Sequence, residues 1–155
     1  MGQSAAKPLL AVRDLRTSFH TFSGNVRAVN GVTFDIAQGE VMGLVGESGG
    51  GKSVVGFSIL GLIDSPGKIE GGEILLNDED LVSATEERLR DIRGREISMI
   101  FQDPMTSLNP LHTIGRQMEE VLRLHTDLTS DACQRACVEM LEDVGRSRAA
   151  ERREA

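Results

Sequence analysis

The run Gly46-Glu47-Ser48-Gly49-Gly50-Gly51-Lys52-Ser53 satisfies the pattern G-x-x-x-x-G-K-[ST] at every fixed position. It follows an apolar stretch, Val41-Met42-Gly43-Leu44-Val45, and opens a helix-like one that starts at Lys52. A strand, a loop and a helix in that order are the context in which the pattern acts as a phosphate loop. The glycines let the backbone curl so that successive N–H groups point inward at phosphate oxygens, and the start of the helix adds its positive end. The Lys52 ammonium is expected to reach the β and γ phosphates, a charge-assisted contact of roughly 1.5–3 kcal/mol. The Ser53 hydroxyl is placed to ligate Mg²⁺. The expected ligand is a nucleoside triphosphate. The competing reading is a glycine-rich turn that holds nothing, and it leaves the flanking strand and helix patterns without a reason.

Composition narrows the possibilities. At 155 residues the chain suits one domain, and chains of this size bury about 68–70% of the surface they expose when unfolded. A formal charge of −7 and an isoelectric point near 5.0 argue against a nucleic-acid surface, which would carry a basic stripe. The longest mostly apolar run, residues 54–63, is interrupted by Gly56, Ser58 and Gly61, and it is short beside the about 20 residues a bilayer span takes. Residues 1–8 lack the apolar segment of a secretory signal. A myristoylation reading of Met1-Gly2-Gln3-Ser4-Ala5-Ala6 fails because Ala6 stands where Ser or Thr is wanted. Cys133 and Cys137, the only cysteines, are spaced one helical turn apart. Together these features predict a soluble, cytoplasmic polypeptide.

The organisation along the chain is α/β. Leu9 to Leu15 and Val32-Thr33-Phe34-Asp35-Ile36 read as strands, and Val41 to Val45, apolar on both faces, as a central parallel strand. A helix is expected from Lys52 to about Ile63, a strand over Gly71–Asn77 and a short charged helix over Thr85–Arg93. Ile97-Ser98-Met99-Ile100-Phe101 reads as a second core strand with Gln102 at its carboxyl end, the ligand edge of an open α/β sheet. Beyond it, Ile114, Met118, Val121 and Leu122 share one helical face. Cys133, Cys137, Met140, Leu141 and Val144 share another, capped by Thr129 or Ser130 and ended by Gly145. Both cysteines are expected in the core, since a metal or redox role would want further Cys or His nearby. The expected divisions are a flexible terminus at 1–8, an ATP-binding core at 9–101, a Q-loop with part of a helical subdomain at 102–145, and a tail at 146–155. That tail carries four arginines and no large apolar residue and is expected to stay out of any core and disordered.

Several of these stretches together resemble the ATP-binding subunits of ABC transporters, in particular those of oligopeptide, dipeptide and glutathione importers. The carriers are residues 32–40, the phosphate loop, and above all Met99-Ile100-Phe101-Gln102-Asp103-Pro104-Met105-Thr106-Ser107-Leu108-Asn109-Pro110. The resemblance implies a P-loop NTPase core with an N-terminal antiparallel β segment and a partial helical subdomain, truncated relative to the family. It implies ATP and Mg²⁺ as cofactors. Gln102 becomes the Q-loop glutamine, which approaches Mg²⁺ and the attacking water; the plainer alternative is a cap on a strand end. Phe19 matches the position that stacks on adenine, with Phe22 as the other candidate and a buried edge-strand ring as the structural alternative.

The implied partners are transmembrane permease subunits, a second ATP-binding subunit as homodimer or heterodimer, and indirectly a peptide-binding protein outside the membrane. The implied place is the cytoplasmic face of the cell membrane, bound peripherally. Met105 to Pro110 is then a candidate permease contact, or ordinary loop packing. The family continues with an LSGGQ-like signature, a strand ending in Asp-Glu and a switch histidine, and none of these is found in the 155 residues. Ser48-Gly49-Gly50 and Ile74-Leu75-Leu76-Asn77-Asp78-Glu79 imitate the first two only superficially, and His20, His112 and His125 have the wrong contexts for the third. The resemblance is expected to end near Gly145, with the tail an altered frame, a truncated product or a boundary of annotation. Hydrolysis by the chain alone is therefore not expected. The alternative function is a non-catalytic fragment that docks on the permease or on a full-length ATPase.

Overall fold

Two long strands, β1 (Leu10–Thr21) and β2 (Gly24–Ile36), dominate the first half of the chain in the computed structural model. The structure describes residues 7–102, 108–145 and 148–154. The strands form an antiparallel hairpin closed at Phe22-Ser23, with Thr21 paired to Gly24. A third strand, β3 (Gly67–Leu76), lies antiparallel on the other side of β1, and a two-residue β4 (Glu79–Asp80) completes a sheet of order β2-β1-β3-β4. The β3–β4 turn is Asn77-Asp78, both at positive φ (48° and 68°), the conformation short-side-chain Asn and Asp tolerate best in tight hairpins. The Asp-Glu imitation at 74–79 is thus an antiparallel turn, as its interruption by Asn77 suggests.

Helix α1 (Lys52–Ile59) belongs to the same unit, which spans Met1–Arg90. It ends earlier than expected because Gly61 takes φ 63°, with Leu62 N–H donating to the Phe57 carbonyl (2.8 Å) and Gly61 N–H to that of Ser58 (3.1 Å). That pair of bonds satisfies the last carbonyls of the helix. The unit's core takes Val12, Leu15 and Ile74, all fully buried, together with Val29, Leu76 and Leu81 from the sheet region and Val55 and Leu60 from α1 and its cap. The short charged helix is found as α2 (Glu86–Ile92).

The central parallel strand is not formed. Residues 41–45 make no ladder with any described residue, and Val41 and Val45 are 97% and 93% exposed. A strand apolar on both faces needs a hydrogen-bonded neighbour on each side and cover above and below. None is present among the described residues, so local pattern alone does not make the element. The same holds for 97–101, where the only strand pairing among the described residues is a bridge from Arg93 to Ile97 and Ile100 is 94% exposed.

The second unit, Asp91–Ala155, is helical: α3 (Ile114–His125), α4 (Ser130–Asp143) and α5 (Ala149–Arg153). Thr129 caps α4 by accepting from Ala132 N–H at 3.4 Å, and Gly145 follows its C-terminus at φ 72°. Cys133 and Cys137 are free and fully buried, as core residues should be. The expected face of α3 is shifted. Val121 is 51% exposed, and the buried positions are Gly115 and Glu119. The reason is the helix α5, whose Arg153 side chain occupies the space over Gly115 and pairs with Glu119 at 3.6 Å, while Arg123 pairs with the same carboxylate at 2.9 Å. The tail also places Ala149 in the core, at 4% exposure, contrary to its arginine-rich composition. Small residues such as alanine give a short segment a buried face without large apolar side chains.

Candidate functional site

The phosphate loop leads into α1 through Gly51, which has φ 81° and ψ 1° and provides no side-chain cap. The first N–H groups of a helix have no acceptor within it, so those of Lys52, Ser53 and Val54 present a set of donors at the loop, where the helix dipole is positive. Residues 46–50 and Ser53 are exposed. Lys52 folds back across the loop, its Nζ donating to the carbonyl oxygens of Gly46 (2.8 Å) and Glu47 (2.6 Å). Gly50 N–H also donates to the Glu47 carbonyl (3.0 Å), which closes the curl. An ammonium has three donors, so two main-chain bonds fix its direction and leave one for an anion.

The loop is seated by main-chain packing. A Cβ on Gly51 would collide with the carbonyl oxygen of Ala28 in β2, so the loop rests against the hairpin at a position only glycine can fill. Behind it, α1 is pinned to β1 by a buried pair of hydroxyls, Thr17 Oγ1 and Ser58 Oγ, 2.9 Å apart. The Ser58 hydroxyl donates to the Val54 carbonyl at 2.7 Å, so Thr17 is the donor to Ser58. Neither Gly51's neighbour nor this pair stands out in sequence. The one signal is Ser58, a serine inside the mostly apolar run 54–63.

Phe19 lies in β1, half-buried, paired to Val26 on one side and Gly67 on the other. Phe22 sits fully exposed in the β1–β2 turn. Gln102 is exposed and belongs to the second unit, whereas the phosphate loop and Phe19 belong to the first. Residues 103–107, and with them Met105 of the candidate permease contact, lie outside the described residues. In the described end of that contact, residues 108–110, Asn109 is bound to α3 by Gln117, which accepts from its N–H (2.9 Å) and donates to its carbonyl (3.0 Å) and to that of His112 just beyond (2.9 Å).

Two carboxylates carry perturbed acidities. Hydrogen bonding from Ser18 and the nearby charge of His20 hold Glu70 below the ordinary glutamate value. The paired guanidinium of Arg88, with both bonds at 2.8 Å, does the same for Glu79. The Cys137 thiol is pushed up by burial and by the charge of Glu119, which disfavours the reactive thiolate.

A curled glycine loop with an inward lysine at the head of a helix has the form of a P-loop, here without the preceding strand, which residues 41–45 do not make. The family model for ABC transporters matches residues 29–154, running past Gly145, where the resemblance was expected to stop. The oligopeptide transport ATP-binding protein OppD of Bacillus subtilis is 49% identical over 138 residues, covering 88% of this chain and 38% of that protein. Its Escherichia coli counterpart is 44% identical over 144 residues, covering 93% and 42%. A peptidoglycan transport ATP-binding protein of Agrobacterium fabrum is 47% identical over 146 residues, covering 94% and 27%. Among solved structures, the dimeric structure of a bacterial ABC transporter cassette superposes with a TM-score of 0.75 at 22% identity, covering 90% of this chain and 58% of that one. The chain belongs to the ABC transporter family and has the fold of its cassettes. It spans about two fifths or less of the length of these curated relatives.

Proposed function

We propose that this chain is the nucleotide-holding portion of an ABC-type peptide importer's ATP-binding subunit. The observation that carries this reading is the Lys52 ammonium, aimed across a solvent-open loop by the Gly46 and Glu47 carbonyls. A triphosphate seated there is gripped by the loop amides from Gly46 to Ser53 and by the remaining Lys52 donor, which neutralises charge on the β and γ phosphates. The relatives' names as oligopeptide transport ATP-binding proteins support peptides as the transported class. As transport proteins the relatives also support permease subunits as partners, and a place at the cytoplasmic face of the membrane is part of the same proposal. The dimeric cassette supports pairing with a second ATP-binding subunit.

The donor set fits Mg²⁺. Ser53 offers a hard hydroxyl oxygen beside the phosphate position, and no group of three or more His, Cys, Asp or Glu side chains suited to a metal occurs among the described residues. An ion at this site would be held by Ser53 together with phosphate oxygens, the arrangement magnesium favours; Gln102, in the second unit, is the further oxygen donor that the family resemblance implies. When bound, the ion supplies charge neutralisation along the phosphate chain. Phe19 holds the adenine. The test is a calorimetric titration with Mg-ATP. Lys52→Ala is expected to lose at least tenfold in affinity, about 1.4 kcal/mol. Equal binding by variant and parent would sink the assignment.

A further inference from the structure

The two neighbours of Phe19 in β1 are tied to one side chain across the sheet. Ser18 Oγ donates to Glu70 Oε2 at 2.8 Å, and His20 Nε2 lies 3.0 Å from Glu70 Oε1. Each carboxylate oxygen thus holds one residue, and the two held residues bracket the ring. Glu70 stands in β3 where the pairing with β1 is irregular, between Ile69, paired to Thr17, and Gly71, paired to Arg16. Ser18 is 1% exposed, so its hydroxyl has little access to water as an alternative partner.

Side chains of successive strand residues point to opposite faces. Ser18 and His20 therefore share the face with Glu70, and Phe19 projects from the other. On that side Gly67 makes room. A Cβ at 67 would lie 2.7 Å from Phe19 Cε1 and 2.7 Å from Ile63 Cγ2. His20 N–H further donates to the Pro66 carbonyl at 3.0 Å, which fixes the backbone beyond the ring. The ring is set from below by a carboxylate clamp on its neighbours and from the side by a missing side chain.

We propose that Glu70 is a positioning residue for the base-stacking ring of Phe19, acting through Ser18 and His20. The inference rests on the reading of Phe19 as the adenine partner. Stacking depends on the offset and tilt of the ring, whereas the phosphate grip depends on main-chain amides and Lys52. Loosening the clamp should therefore cost affinity for the base and leave the polyphosphate tail alone.

The experiment compares Mg-ATP with magnesium tripolyphosphate, which has no base, by calorimetry on the full chain. Glu70→Ala is expected to weaken ATP about threefold or more, a part of what one aromatic–base stack supplies, with tripolyphosphate unchanged. In the Phe19→Ala background it should add nothing further. Glu70→Gln keeps an acceptor for Ser18 and should recover part of the loss. A parallel loss of both ligands in Glu70→Ala and Glu70→Gln would show a scaffold role and overturn the proposal, as would an ATP affinity unchanged by Glu70→Ala where Phe19→Ala lowers it, or effects of Glu70 and Phe19 that multiply independently.

A second readout does not depend on nucleotide. The chain has no tryptophan, so Phe19→Trp introduces a sole indole whose anisotropy reports ring mobility. Adding Glu70→Ala should lower that anisotropy, and no change would overturn the positioning role. If anisotropy falls while Phe19→Ala leaves ATP binding untouched, the positioning stands and the adenine reading alone fails.

Discussion

At the scale of single residues, the phosphate loop depends most on the residue that contributes no chemistry of its own. Gly51 combines a φ of 81° with an approach to the Ala28 carbonyl that excludes a Cβ. A non-glycine residue there carries about 1–3 kcal/mol of backbone strain before any collision is relieved. Gly51→Ala is expected to lower stability by at least about 1 kcal/mol in urea titration and to weaken tripolyphosphate binding, because the loop must lift off β2. An unaltered denaturation midpoint would contradict the seat described here. The motif itself is local and was legible in sequence for that reason. Its seat was not, since Ala28 lies in a different element and carries no mark of the contact. Glu70 was silent for the same reason, one of two glutamates in its strand.

Elements were legible where their ends are set by nearby residues. Thr129 caps α4 and Gly145 closes it, both readable from chemistry within one turn. Thr129→Ala is expected to cost about 1 kcal/mol, read as a lower thermal midpoint of the helical signal, with Thr129→Ser close to the parent. Elements failed where their existence depends on neighbours. Residues 41–45 and 97–101 have strand composition, yet hydrogen bonding in a sheet is a property of pairs. The buried face of α3 was misread because Glu119 became its centre. Arg123, one turn away, was a readable partner, but Arg153 was not. The β4–α2 connection adds a pH dependence. Glu79 is held below its ordinary acidity by Arg88, so the pair stabilises the fold above the ordinary glutamate pKa, and that contribution is lost as pH falls through the lowered value. Glu79→Gln should flatten the acid limb of a plot of denaturation midpoint against pH. An identical limb in variant and parent would remove the pair from the account.

For the molecule as a whole, binding and turnover are separable. Under the proposed reading a polyphosphate would be held through the loop alone, whereas hydrolysis would also need a group that orients water and charge stabilisation over the γ phosphate. The 155 residues contain no LSGGQ-like segment, no strand among the described residues ends in Asp-Glu, and the carboxylates that imitate such a strand are engaged elsewhere: Asp78 pairs with Lys7 and Glu79 with Arg88. The chain by itself is therefore expected to bind Mg-ATP and to release phosphate no faster than a buffer control. Steady release that disappears in Lys52→Ala would show that turnover needs neither of those segments.

The contact between Gly51 and Ala28 joins one backbone to another, and this makes the two positions unequal under mutation. Every amino acid carries the same carbonyl, so residue 28 is free to drift in identity while still supplying the surface on which the loop lies. Residue 51 has no such freedom. Random mutagenesis selected for ligand retention should consequently fill position 28 with varied side chains and return position 51 as glycine each time.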